Sequence, residues 1–276
     1  MTVAITIVVD NPALPHLASE HGFAAWIETP DRRILFDTGQ GAALGRNVTA
    51  LDLPLARAEA VVLSHGHYDH TGGLPYVLET APDVVVYAHP AVRRPRYAVR
   101  DGPAREIGIS PAALAALDRL PEARRPRIDR PVELAPGVGL TGPIPREVAG
   151  EDTGGPFFLD PEGKHPDLLE DDLALWVRTK TGLVVVAGCS HAGLINTLRQ
   201  ARTASGEPRL RAVLGGFHLR AADDRRLEHT ARTLRELDPE RVVPCHCTGE
   251  RAVERFARTL GERLVPGAAG LTFRFD

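Results

Sequence analysis

An apolar run that breaks off into a cluster of histidines, AVVLSHGHYDHTGGL (Ala60–Leu74), limits what this chain can fold into. Ala60–Leu63 has the composition of a buried strand. It ends in a loop where His65, His67, Asp69 and His70 fall within six positions. A lone loop histidine is usually solvated, but four ligand-type side chains this close together point to a metal. In extended backbone His65 and His67 face the same way and reach one ion, while Asp69 and His70 turn towards a neighbouring position. Such a loop supplies two ligands to each of two ions, and the rest must come from other segments. Gly66, Gly72 and Gly73 are expected to allow unusual backbone angles in so tight a turn.

Composition narrows the classes. With 276 residues, 43% apolar and 25% charged, the chain can bury a large core and is not disordered. A net charge of −3 argues against a nucleic-acid binder. The three cysteines, Cys189, Cys245 and Cys247, are too few for a disulfide framework and fit a reducing compartment. MTVAITIVVD reads as a first strand, not a leader, and no apolar run is long enough to span a bilayer. The expectation is a soluble, cytoplasmic protein with no nucleic-acid or membrane partner. Oligomeric state is not legible.

The order of elements gives the fold class. Early β-rich runs come in pairs, with FAAWIET and RRILFDTG hinged at Pro30-Asp31. From Ala91 to about Asp172 arginines and prolines crowd in and periodicity weakens, apart from a helix at SPAALAALDRL. Residues 91–172 therefore read as an insertion covering the site, within a single domain spanning 1–276. LALWVRT and GLVVVAGCSH follow as a hairpin, and then helices and strands alternate to a closing strand, LTFRF. Paired strands followed by alternation imply an α/β fold with two mixed sheets between helices. Three more histidines sit just past β-branched runs: His191 in VVVAGCSHAG, His218 in VLGGFHL and His246 in VVPCHCTG. Strand ends are rigid places to hold a site.

SHGHYDHTGG resembles the HxHxDH signature of the metallo-β-lactamase superfamily, an αββα sandwich with one or two metals at one edge. LFDTG (Leu35–Gly39) is similar to its early strand-end motif. EHGFAAWIE, VYAHP, GCSHAG, GGFHL and HCTG resemble the branch named for the dihydropterin–ribofuranosylaminobenzene 5′-phosphate synthase. The resemblance implies His65 and His67 on a first metal, Asp69 and His70 on a second, His246 as the last ligand and His191 as a middle one. Asp37 would brace the metal loop. The superfamily usually has an aspartate bridging the metals at a middle strand end. AGCSH has none, so His191, Cys189 or His218 stands in. His218 is expected to be a pocket residue that contacts substrate or moves a proton. Cys245 and Cys247 read as buried small residues. His89 and His21, with Glu20 beside it, are expected to face the site. Of the arginines at 93, 94, 96, 100 and 105, Arg94 and Arg96 are expected to bind a phosphate or carboxylate.

The cofactor implied is zinc, as two ions, with manganese or iron as alternatives. Zinc lowers the pKa of bound water from roughly 15.7 to about 7. The activity expected is hydrolysis of a small phosphorylated or carboxylated ester through metal-bound hydroxide, with Asp69 and His218 as catalytic groups. The branch name offers a rival, condensation of a dihydropterin with ribofuranosylaminobenzene 5′-phosphate. A metal-holding sensor with little turnover is the reading from another class.

Overall fold

In a computed structural model that describes residues 2–100 and 102–276, strands and helices alternate around two six-stranded sheets. The first half of the chain provides β1 (Val3–Val9), β2 (Ala24–Glu28), β3 (Arg33–Phe36), α1 (Leu44–Ala50), β4 (Ala60–Leu63), α2 (Tyr68–Thr71), α3 (Leu74–Thr80) and β5 (Val85–Ala88). Next come β6 (Tyr97–Ala98), β7 (Arg105–Glu106), α4 (Pro111–Asp118), β8 (Val132–Ala135), β9 (Val138–Leu140) and β10 (Phe157–Phe158). The second half holds β11 (Ala174–Thr179), β12 (Gly182–Ala187), α5 (Leu194–Ser205), β13 (Leu210–Gly216), α6 (Asp224–Leu237), β14 (Arg241–Cys245), α7 (Glu250–Leu260) and β15 (Thr272–Phe275).

The two sheets mirror one another. The first runs β15-β1-β2-β3-β4-β5 and the second β14-β13-β12-β11-β9-β8. In each, antiparallel hairpins lead into three parallel strands, β3-β4-β5 and β12-β13-β14. Period-two alternation sorts the side chains. Ile34, Phe36, Val184 and Val186 face the core between the sheets, whereas Leu35 and Val185 face the outer helices. The outer face of the first sheet packs on α1, α3 and α4, and that of the second on α5, α6 and α7. The fold is an αββα sandwich. No helix among the described residues is long and apolar enough to cross a membrane.

The Arg/Pro-rich segment divides in three. β8 and β9 extend the second sheet, and α4 joins the outer core through Ala113 and Leu117, with Leu120 just beyond it. Only the small sheet β10-β6-β7 and its loops lie over the site. β8 and β9 are four and three residues long, too short to show periodicity against the surrounding prolines and arginines.

Candidate metal centre

The parallel strands deliver the site. Asp37 follows β3, Ser64 and His65 follow β4, Cys189 and His191 follow β12, His218 follows β13 and His246 follows β14. Carboxyl ends of parallel strands are where open α/β sheets bind ligands, because their loops diverge around a crevice there. Asp37, Ser190, His218 and His246 have φ of 58°, 55°, 44° and 50°, left-handed backbone that non-glycine residues seldom adopt.

Asp37 is fully buried and serves the metal loop from behind. Its carboxylate accepts from Ser64 N (2.7 Å), Ser64 Oγ (2.7 Å) and His70 Nδ1 (2.7 Å). Ser64 Oγ in turn lies 2.9 Å from His65 Nδ1. The same arrangement recurs: His191 Nδ1 meets the Thr153 carbonyl at 2.8 Å and His246 Nδ1 meets Asn11 Oδ1 at 2.9 Å. Each outward nitrogen is held by an oxygen, which fixes the ring and leaves Nε2 aimed inwards, as metal-binding histidines require. His67 differs, with Nδ1 3.0 Å from His65 Nε2.

The inward atoms form two sets. His65, His67 and His191 meet edge to face with ring centroids 4.6–4.9 Å apart. The Nε2 atoms of His67 and His191 are buried without a hydrogen-bond partner. An orphaned buried nitrogen is costly, so His191, which groups with His65 and Cys189, fits a cation, while His67 meets that group through Nδ1. Asp69, His70 and His246 form the other set. Asp69 Oδ2 lies 3.3 Å from His246 Nε2, 4.0 Å from His70 Nε2 and 3.2 Å from His21 Nε2. Cys189 Sγ stands 3.2 Å from His70 Nε2 and groups with both sets, its ligand atom within 4.8 Å of those of His65 and His191 and of His70 and His246.

The two sets differ in their electrostatics. Burial holds His65, His67 and His191 well below the usual histidine range, so their lone pairs stay free. Burial also works against a charge on His70, but the Asp37 and Asp69 carboxylates outweigh it and raise its pKa to about 9. Burial would keep Asp69 protonated, yet His70, His21 and His246 hold it well below the carboxylate range.

Glycines here serve proximity. Gly66, Gly72 and Gly73 are absent from the positive-φ positions, so the expected unusual angles are not the reason for them. A Cβ would overlap Val92 O and the Arg96 guanidinium at Gly66, Gln40 O at Gly72 and Thr38 O at Gly73.

These features agree with the comparisons to known proteins. The family model described as the metallo-beta-lactamase superfamily matches residues 20–246. This chain belongs to the metallo-β-lactamase superfamily. It is an enzyme of that fold, a metallohydrolase or a related synthase. A Methanocaldococcus jannaschii protein named 7,8-dihydropterin-6-methyl-4-(beta-D-ribofuranosyl)-aminobenzene-5′-phosphate synthase is 30% identical over 93% of this chain and 90% of its own. An uncharacterized protein of the same organism is 33% identical over 92% and 94%. The crystal structure of Tm1679, a metal-dependent hydrolase of the beta-lactamase superfamily, is 33% identical, covers 98% of both chains and superposes with a TM-score of 0.81.

In this metallo-β-lactamase fold the centre opens into a cavity of about 600 Å³. His21, His67, Asp69, Cys189, His218 and His246 reach it, under Tyr68 and Phe157. His218 packs against His191, with centroids 4.3 Å apart, and groups with Cys189 and Cys247.

Three expected substrate contacts lie elsewhere. Arg96 is 0% exposed and saturated, donating to Asp167 Oδ2 at 2.6 Å and to both Asp171 oxygens at 2.6 and 2.9 Å. Arg94 pairs with Glu170 at 2.9 Å and does not line the cavity. His89 accepts from Ala91 N at 3.1 Å and borders a separate, smaller cavity. Acidic residues at 167, 170 and 171, far along the chain, claim the two arginines. Glu20 also turns away, accepting from the backbone of Gln40, Ala42 and Ala43 where α1 begins. The cavity's arginines are Arg100, Arg105 and Arg220. Asn11, Ser64 and Thr153 carry no ligand signature, so the sequence hides their part in orienting the rings. Arg220 sits two residues past His218, a proximity that would have flagged it.

Proposed function

We propose that this protein is a metal-dependent hydrolase of small anionic esters, phosphorylated or carboxylated. The observation that carries the reading is the convergence of inward-facing histidine nitrogens, the orphaned His191 Nε2 among them, beside a cavity lined by three arginines. His65, His67 and His191 would hold one zinc ion, and Asp69, His70 and His246 a second. Bound zinc supplies a water acidified to neutral pH and polarises the bond under attack. The chain's own residues do the rest. Arg100, Arg105 and Arg220 orient the anionic group of the substrate. Phe157 and Tyr68 wall the cavity against bulk water. Asp69, ionised and at the cavity floor, accepts the proton of the attacking water. His218, with its Nδ1 buried and unpartnered, donates to the leaving oxygen.

The test is metal analysis followed by a screen of phosphodiesters, phosphomonoesters, lactones and thioesters. About two zinc ions per chain are expected, with turnover of an anionic ester that chelation abolishes and zinc restores. A chain that takes up no zinc, or whose ester turnover survives chelation, overturns the reading. One observation favours a second reading, the 30% identity over nearly the whole chain to a protein named as a synthase. If the loaded protein cleaves no ester but condenses a dihydropterin with ribofuranosylaminobenzene 5′-phosphate, the same pocket serves that reaction.

A further inference from the structure

Two cations held a few ångströms apart are stabilised by an anion between them, and among the described residues no carboxylate groups with both histidine sets. Asp37 is occupied by Ser64 and by the outward face of His70. Asp10 accepts from the backbone of Asn11 and His246. Asp69 lies against His21 and His246 and groups with neither His65 nor His191. Of the described side chains, Cys189 alone groups both with His65 and His191 and with His70 and His246. We infer that the Cys189 thiolate is the ligand shared by the two metal ions. This rests on the two-metal reading above.

The backbone is built to put that sulfur there. Gly188 has no room for a side chain, because a Cβ would overlap Ser64 Oγ and lie 2.9 Å from Asp37 Oδ2. Gly215 and Gly216 are equally confined, one against Ala187 O and the other against Gly188 O and Cys247 Sγ. Ser190 then turns the chain at φ 55°, its Oγ tied to Gly216 O at 2.9 Å. Cys189 is thereby pinned between the ends of β4 and β13, with its side chain between the two histidine sets.

The chemistry matches the position. A neutral imidazole has one lone pair to give and cannot screen two cations. A thiolate carries a full charge and lone pairs for both ions, and a metal removes its proton on binding. Sulfur also favours zinc over manganese. Cys247, whose Sγ lies 3.3 Å from that of Cys189, joins neither histidine set and sits on the pocket side with His218. It is a neighbour of the bridge and not a ligand.

X-ray absorption at the zinc edge, on wild-type and Cys247→Ser protein loaded under reducing conditions, tests this. Both should take up two zincs per chain and show about one sulfur per zinc at ~2.3 Å; one zinc per chain with one sulfur would make Cys189 a terminal ligand and overturn the inference. An average of about half a sulfur per zinc would make Cys189 a ligand to one ion only, and two zincs without sulfur would remove it altogether; either overturns the inference and leaves the hydrolase reading standing. A chain with no zinc overturns both. Cobalt(II) substitution is an independent readout. The thiolate-to-cobalt charge-transfer band should persist in Cys247→Ser and vanish in Cys189→Ser, while Cys189→Asp should bind two ions without the band. The reverse, a band lost in Cys247→Ser and kept in Cys189→Ser, would move the ligand to Cys247.

Discussion

The rings of His65, His70, His191 and His246 are each held from behind by an oxygen, which leaves the opposite nitrogen free to bind. Asp37 fixes His70 directly and His65 through Ser64. Asp37→Asn keeps the shape but loses the charge and puts an amide donor where an acceptor is needed. Zinc affinity should fall by roughly 10- to 100-fold in a competitive chelator titration, and unchanged affinity would rule out the bracing role. His218 separates ligand from acid by the same logic. His218→Ala should keep its full metal content while activity drops by about 10²- to 10⁴-fold, the range of a positioned proton donor. His191→Ala and His246→Ala should lose metal as well as activity. If His218→Ala is short of an ion while His191→Ala is fully loaded, the two roles are reversed. At this scale the sequence was legible where ligands are consecutive, as at His65–His70, and illegible where an ordinary residue does the orienting. Asn11 and Thr153 reach His246 and His191 across 235 and 38 positions.

Between elements, the metal loop is fastened to the segment that covers it. Asp171 Oδ2 accepts from Gly66 N at 2.8 Å and from Arg96 at 2.9 Å, so one carboxylate joins the backbone between His65 and His67 to the start of the cover. Arg96 was expected to meet substrate and instead neutralises two buried aspartates. Arg96→Ala would strand both charges, and denaturant unfolding should show a loss of about 3–5 kcal/mol. Arg96→Lys should recover only part of it, because an ammonium cannot replace the forked guanidinium. Full stability in Arg96→Ala would show that the two carboxylates find other partners. The long strands were readable because each is a compact run rich in apolar residues that breaks off at polar, glycine or proline residues. β8 and β9 were not, since their burial is supplied by β11 and by the facing sheet, information that three or four residues cannot carry. Nor could local sequence announce that Ser190, His218 and His246 each take left-handed backbone just past a parallel strand. That conformation depends on tertiary contacts that hold it against its cost.

The whole molecule is mildly acidic, at −3, yet the mouth of its cavity carries Arg100 and Arg105 from the cover and Arg220 from the loop after β13. Cations drawn from both halves of the sandwich converge only when the fold is complete. This is why the choice among the arginines of residues 93–105 could not be made by counting charges. Net charge would repel an anionic substrate at long range, so attraction must be local and sensitive to ionic strength. Arg105→Ala and Arg220→Ala should each raise KM for an anionic ester about tenfold with little change in kcat, because they bind ground and transition states alike. Arg94→Ala, whose side chain pairs with Glu170 outside the cavity, should leave KM unchanged. Added salt should raise the wild-type KM more than that of Arg105→Ala, which has less electrostatic attraction to lose. Hydrolysis of an uncharged analogue of the same ester provides the control, since removing an arginine should not weaken its binding. If the uncharged analogue suffers equally, these arginines shape the cover and do not grip the anion.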